Sequence, residues 1–208
     1  MTSNVTPLGR RRPAAVRRRQ VASLIVFYFD LGSPYTYLAA ERADRMFAGL
    51  AWVPATCARL RRGASVDDVD RAAVALRAET LGLPLIWPVG APPSVVRAMR
   101  VASLAAERGA GAAFVLAATR LTFCGSFDID DPEILVVAAS GAGIDTAQMS
   151  DAADDAGRDA AIEATGRRLV AAGAGRLPVL QVEQTLFCGE DRVGDAAIAA
   201  RIPASTVG

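Results

Sequence analysis

The segment Leu24-Ile-Val-Phe-Tyr-Phe-Asp-Leu-Gly-Ser-Pro-Tyr-Thr-Tyr37 joins two patterns. Its first six residues are apolar without a break, and mostly β-branched or aromatic, which suits a strand buried on both faces. Asp30-Leu-Gly32 interrupts the run. Ser33 and Pro34 then open a helix, because Ser is favoured at the N-cap and Pro at the first helical position. The pattern predicts a helix to about Met46. Leu50-Ala-Trp-Val53 reads as a second strand, ended by Pro54.

Strand character returns only near the other end. Val179–Val182 and Thr185–Phe187 read as short strands joined by a tight turn at Glu183-Gln184, and Asp195–Arg201 as a closing helix. Between these regions the chain is Ala-rich and helical in pattern. Ser65-Val-Asp-Asp68 has the form of a capping box for a helix to about Leu81. The stretch from Gly82 to Pro93 holds four prolines and reads as an extended connector. Ser94 is expected to cap a helix whose inner face carries Val95, Met99, Ala102 and Ala106. Further helices are expected over residues 112–122, from Asp131-Pro-Glu133 onward, and over 154–172, the last with Ile162, Leu169 and Val170 inward.

The order is βαβ, a helical block, then ββα. The outer parts together predict an α/β, thioredoxin-like sheet formed by residues 23–60 and 166–208, with a large all-helical insertion over 61–165. Residues 1–22 are set apart by charge. Positions 1–20 carry six Arg and no acid, whereas positions 21–208 carry 17 Arg against 22 acids. A basic, disordered leader is the simplest reading. A nucleic-acid-binding arm and a twin-arginine export signal are the alternatives.

Composition excludes several chemistries. All 23 basic residues are Arg, with no Lys and no His. The absence of His removes Ser-His-Asp and Cys-His machinery and any imidazole metal ligand. The absence of Lys removes Schiff-base chemistry. Cys57, Cys124 and Cys188 are far apart, so there is no CxxC redox pair and no expected metal site. They read as core thiols in a reducing, cytoplasmic setting. No apolar run approaches the roughly 18–20 residues that span a bilayer. Catalysis would rest on hydroxyls, carboxylates, Arg, backbone amides or a reagent brought from outside.

Three fragments could supply it. Ser33 and Thr36 stand where a thioredoxin-like helix would carry the two cysteines of a CxxC. A Ser there cannot exchange disulfides, but its hydroxyl can donate to a thiolate brought by a ligand, helped by the helix N-terminus. Arg176-Leu-Pro-Val179 places Pro178 just before a strand. A cis Leu177–Pro178 bond would there aim the Leu177 backbone at an extended ligand, and a trans proline opening the strand is the alternative. Phe187-Cys-Gly-Glu-Asp-Arg192 can hold an ammonium and carboxylate pair, or can simply cap a helix.

FYFDLGSPYTYLAA, LPVL, LFCGEDRV and FDIDDPEIL resemble, in order and spacing, segments of the 2-hydroxychromene-2-carboxylate isomerases and kappa-class glutathione transferases. These families belong to the DsbA-like thioredoxin superfamily, and the resemblance covers about residues 24–200. It implies glutathione, or another low-molecular-weight thiol, as cofactor. Ser33 would be the catalytic residue that stabilises the thiolate. Leu177 and Pro178 would pair with the cysteinyl part. Glu190 and Asp191 would hold the γ-glutamyl end, with Tyr35 and Arg192 as support.

The resemblance also implies a homodimer acting on a small aromatic or conjugated carbonyl compound, as in aromatic degradation, with neither nucleic acid nor membrane as partner. A kappa-like transferase and a non-catalytic thioredoxin-like binding protein are the other readings. The segment after the second strand is shorter than in these relatives and lacks their Asn and Lys. Val179, Ser94 and Cys188 stand where Thr or Ser, Asn, and Trp are common.

Overall fold

A computed structural model describes residues 25–61, 70–88 and 94–201. The elements run β1 (Ile25–Phe29), α1 (Pro34–Met46), β2 (Ala51–Pro54), α2 (Ala58–Arg61), α3 (Arg71–Thr80), α4 (Val96–Glu107), α5 (Gly111–Phe123), α6 (Pro132–Gly141), α7 (Thr146–Asp154) and α8 (Gly157–Ala171). They end with β3 (Val179–Val182), β4 (Thr185–Cys188), a 3-10 turn (Glu190–Arg192) and α9 (Val193–Arg201). The basic leader, the Ser65–Asp68 capping box and residues 89–93 of the connector lie outside the described residues.

The sheet is mixed, in the order β2-β1-β3-β4. β1 is central as its apolar run predicts, parallel to β2 and antiparallel to β3. The βαβ and ββα halves meet along β1 and β3, which makes the expected thioredoxin-like sheet. Alternation along β1 sends Phe27 and Phe29, both fully buried, to one face with Trp52, Leu180 and Val182. That face packs into a cluster containing Val95, Met99, Phe114, Leu135, Ile144 and Met149 from the helical block. Tyr28 and Val179 face the other way, against Leu60, Leu169 and Leu177. Pro54 continues β2 instead of ending it, opposite Phe29. Proline is tolerated there because β2 is an edge strand.

Several helix boundaries differ from the sequence reading. Ser94 stands one residue before the N-cap of α4, and its hydroxyl accepts only weakly from Val96 N, at 3.5 Å. The N-cap is Val95, and the Asp130 carboxylate accepts from the Arg97 and Ala98 amides at 3.2 and 2.8 Å. A side chain remote in sequence therefore does the work a local cap would do. The helix expected over 154–172 is α8, which starts at Gly157, and α7 before it, capped by Asp145 accepting from Gln148 N at 2.9 Å, has no counterpart of its own in the sequence reading. α8 is continuous through residue 165, the expected end of the insertion. α6 starts as predicted, with Asp131 accepting from Glu133 N and Pro132 in the first turn.

α8 carries Gly166 in its interior, a position that costs about 1 kcal/mol in helix propensity relative to Ala. A Cβ there would sit 2.1 Å from the Thr56 carbonyl oxygen. The missing side chain lets α8 lie directly on the segment that follows β2.

Candidate active site

The site is assembled where β1 ends. Asp30, 4 % exposed, turns the chain. Its carboxylate accepts from Gly32 N at 2.9 Å and from Thr56 Oγ1 at 2.8 Å, and its carbonyl accepts from Ser33 N at 3.2 Å. The Leu31 amide is directed at Met99 Sδ, 3.4 Å away. The turn is thus pinned to the segment after β2 on one side and to α4 on the other. Sequence alone does not single out Thr56 and marks Met99 only as an inner-face residue of its helix, because each meets the turn only through tertiary packing.

Ser33 sits at the N-cap of α1, as its sequence context predicts, but caps nothing. Its Oγ makes no bond to the helix amides, is buried in a residue only 3 % exposed, and has no hydrogen-bond partner. Thr36, fully buried in the first turn, also leaves Oγ1 without a partner. Buried hydroxyls are paired in the large majority of cases, and leaving one unpaired costs about 1–3 kcal/mol. Two such groups at one helix N-terminus, where unpaired amides and the helix dipole favour an anion, identify the position chemically.

The Leu177–Pro178 bond is cis. The antiparallel register pairs Val179 with Tyr28, so the next step along β3 brings Pro178 alongside Phe29, at the end from which the Asp30–Ser33 turn departs. The Leu177 side chain is buried among Ala55, Leu60 and Leu169. The Pro178 carbonyl accepts from Gly189 N at 2.7 Å, which ties the third fragment to the second. Tyr35 is half-buried against the cluster of Tyr37, Leu38, Val74 and Phe123. The Tyr37 hydroxyl donates to the Pro84 carbonyl at 2.8 Å, and burial pushes its pKa well up.

Gly189 has φ +107°, a conformation that disfavours any side chain, and a Cβ there would meet the Arg176 guanidinium at 2.5 Å. Glu190 is 6 % exposed. Its carboxylate receives Arg77 Nε at 2.7 Å and Nη2 at 3.2 Å, and Arg42 Nη1 at 3.2 Å. Arg42 Nη1 also donates to the Glu190 carbonyl at 2.7 Å. Asp191 is exposed and accepts from Arg176 Nη2 at 2.6 Å. Arg192 pairs with Asp195 at 2.8 Å. The arginines of this network stand 148 and 113 residues from Glu190, so nothing local in the sequence announces them.

A cavity of about 150 Å³ opens beside Thr56, lined by Val96, Met99 and Ile162 with Asp159 and Glu163. Asp159 is held by both ends of the Arg100 guanidinium, at 2.8 and 2.7 Å. The three cysteines are free thiols, each half-buried instead of sealed in the core. Cys188 packs beside Leu177 and Val179, near Pro178.

The order of strands and the composition of this site define a thioredoxin-type architecture without a redox pair. The chain belongs to the family described as the DSBA-like thioredoxin domain, whose model matches residues 24–198. No curated protein matches the chain. Among solved structures it is similar to 2-hydroxychromene-2-carboxylate isomerase, with TM-score 0.69 at 16% identity, over 85% of this chain and 93% of the other. It is also similar to a probable DsbA oxidoreductase from Streptomyces coelicolor, with TM-score 0.64 at 22% identity, over 89% and 94% of the two chains. At such identities the likeness is one of fold. Among the described residues no helix is long and apolar enough to cross a membrane.

Proposed function

We propose that this chain is a thiol-dependent isomerase resembling 2-hydroxychromene-2-carboxylate isomerase. In this reading it takes glutathione or another low-molecular-weight thiol and acts on a small aromatic or conjugated carbonyl compound. The observation that carries the reading is the Ser33 hydroxyl: buried, unpaired, and set at the N-terminus of α1. A thiolate is the partner such a group suits.

A bound thiol would supply a nucleophile that adds reversibly to a conjugated alkene, so that the double bond becomes free to rotate. The chain's part is electrostatic. The Ser33 hydroxyl would donate a hydrogen bond to the sulfur anion, and the first-turn amides of α1 would add their partial positive charge. Lowering the thiol pKa by two units corresponds to about 2.7 kcal/mol, which a charge-assisted hydrogen bond and a helix terminus can supply together. Asp30 and Thr56 hold the turn that carries Ser33. Val96, Met99 and Ile162 line a cavity whose apolar wall suits the body of a small conjugated substrate.

A disulfide oxidoreductase role is disfavoured because Ser33 and Thr36 occupy the cysteine positions. Absorbance titration of bound glutathione tests the reading. Ser33→Ala should raise the pKa of the bound thiol by one to two units and lower turnover of a conjugated carbonyl substrate by about 10²-fold or more. Undiminished thiol-dependent turnover in that variant would remove Ser33 from the mechanism. A non-catalytic binding protein would bind the thiol and leave such substrates unchanged.

A further inference from the structure

We propose that the cleft between α8 and the face of the sheet that carries Tyr28 binds a small organic acid, a single ring or short apolar body bearing one carboxylate. The carboxylate would meet Arg168, and the apolar part would rest on Leu169 and Leu186. The cleft shares no residue with the candidate active site and does not depend on the thiol-dependent reading.

β1 and β3 are the inner strands of the sheet. Their register sets Val26 opposite Gln181 and Tyr28 opposite Val179, so Tyr28 and Gln181 are diagonal neighbours on one face. The Tyr28 hydroxyl donates to Gln181 Oε1 at 3.0 Å, and Gln181 Nε2 donates to the Glu183 carbonyl at 2.8 Å. The polar pair is thus held in one orientation. An apolar pair at these positions would extend the cluster that Val179 makes with Leu169 of α8. With Tyr28 and Gln181 there, a cavity of about 230 Å³ lies between the strands and α8, larger than the one beside Thr56. Sites for drug-sized ligands start at roughly 300 Å³, so this one suits a smaller molecule.

The charge of the cavity is one-sided. Arg168 lines it, and no Asp or Glu does. Among the described residues Arg168 has no carboxylate partner. Its Nη2 donates to Thr165 Oγ1 at 3.0 Å, which steadies the guanidinium and leaves the rest of its fork open. The adjacent Arg167 is paired with Glu163. Arg168 stands in the last turn of α8, where the helix C-terminus favours a cation, so the fold keeps it without an acid. Burial raises the Tyr28 hydroxyl pKa above its ordinary value and the Arg168 charge opposes that rise, so the hydroxyl and the guanidinium share one field.

A guanidinium over a partly apolar cleft is completed by an anion, and its planar fork matches a carboxylate. Leu169 and Leu186 add apolar surface that an organic acid can cover and inorganic phosphate cannot. The exposed Gln184 amide stands at the same cleft as a further donor.

NMR titration of the isotope-labelled full chain tests this with three probes: benzoate, its uncharged counterpart benzamide, and inorganic phosphate. Benzoate is expected to bind with Kd below about 1 mM and to move the side-chain amide signals of Gln181 and Gln184. Benzamide and phosphate should each bind about tenfold more weakly, or not at all. Arg168→Gln changes an exposed residue and should leave Tm within about 2 °C, while weakening benzoate about tenfold. Benzamide or phosphate binding as tightly as benzoate would overturn the proposal, and this comparison uses the unaltered chain. So would benzoate binding undiminished in Arg168→Gln, or no benzoate binding at about 10 mM. Shifts centred on Ser33 and Thr36 would put the acid in the candidate active site and overturn it as well.

Discussion

The sequence around Ser33 allows two roles, a helix cap and a donor to a ligand, and cannot separate them. A Ser before a Pro at a helix start is ordinary capping chemistry, and the position is legible for that reason. The hydroxyl's lack of any partner is not legible, because it depends on what the fold places around it. The same holds for Thr36. Both hydroxyls are buried liabilities to the free protein. Ser33→Ala is therefore expected to raise stability by about 1 kcal/mol, or Tm by about 2–4 °C, while turnover falls. Thr36→Val, which keeps the shape and removes the hydroxyl, should raise Tm by a similar amount. Thermal denaturation checks both, and a fall in Tm would show that a hydroxyl had a stabilising partner in solution.

At the level of elements, the helices that announced themselves carry their start signal in their own sequence. α1 begins at Pro34 and α6 at Pro132, each where a local Ser-Pro or Asp-Pro pair predicts it. α4 misled because its cap comes from Asp130, a residue of a different segment. α7 had its own signal in Asp145, overshadowed by the longer Ala-rich run that follows.

Two predictions belong at this scale. Gly166→Ala should destabilise the protein by about 1–3 kcal/mol despite the gain in helix propensity, because a methyl group meets the Thr56 carbonyl at 2.1 Å. Chemical denaturation measures this, and a more stable variant would show that α8 can shift without cost. The second concerns the bond between α4 and α8. The Arg100 guanidinium bonded to Asp159 holds its carboxyl pKa below the ordinary value. The pair therefore contributes stability above about pH 3.9, where an unfolded Asp titrates, and that contribution is lost as pH falls through the depressed folded value. Asp159→Asn should be less stable than the parent at neutral pH, and the gap should close below about pH 3.9. A gap that stays constant from neutral to acid pH would contradict the assignment.

For the whole molecule, the helical block and the sheet share one apolar cluster. Phe27, Phe29, Leu180 and Val182 from the sheet pack with Val95, Phe114, Leu135 and Met149 from the block. The other face of the sheet has a smaller cluster of its own around Leu60, Leu169 and Leu177, but the Phe27–Phe29 face is closed by helices of the block together with α1 and α9. A single cooperative unfolding transition is therefore expected in calorimetry. The slowest-exchanging amides of β1 and α5 should report the same opening free energy. Two resolved transitions would show that the block folds independently. The ion pairs give the same picture across long stretches of chain: Arg77 of α3 and Arg42 of α1 both close on Glu190 near the C-terminus.

By itself the sequence determined the strands, most helix starts, the thioredoxin-like order and the positions of Ser33, Pro178 and the Gly189–Arg192 turn. These follow from local rules: β-branched and aromatic runs, proline and serine at helix starts, and glycine at a positive φ. It also determined the exclusions, because a chain without His, Lys or a CxxC cannot use their chemistry. Only the tertiary structure decided which polar groups remain open to a ligand. It left the Ser33 hydroxyl without a partner and committed Glu190 to two arginines from far upstream. The physical reason is that a hydrogen bond or ion pair is made between neighbours in space, and pairs separated by more than a hundred residues leave no periodicity for a sequence to show.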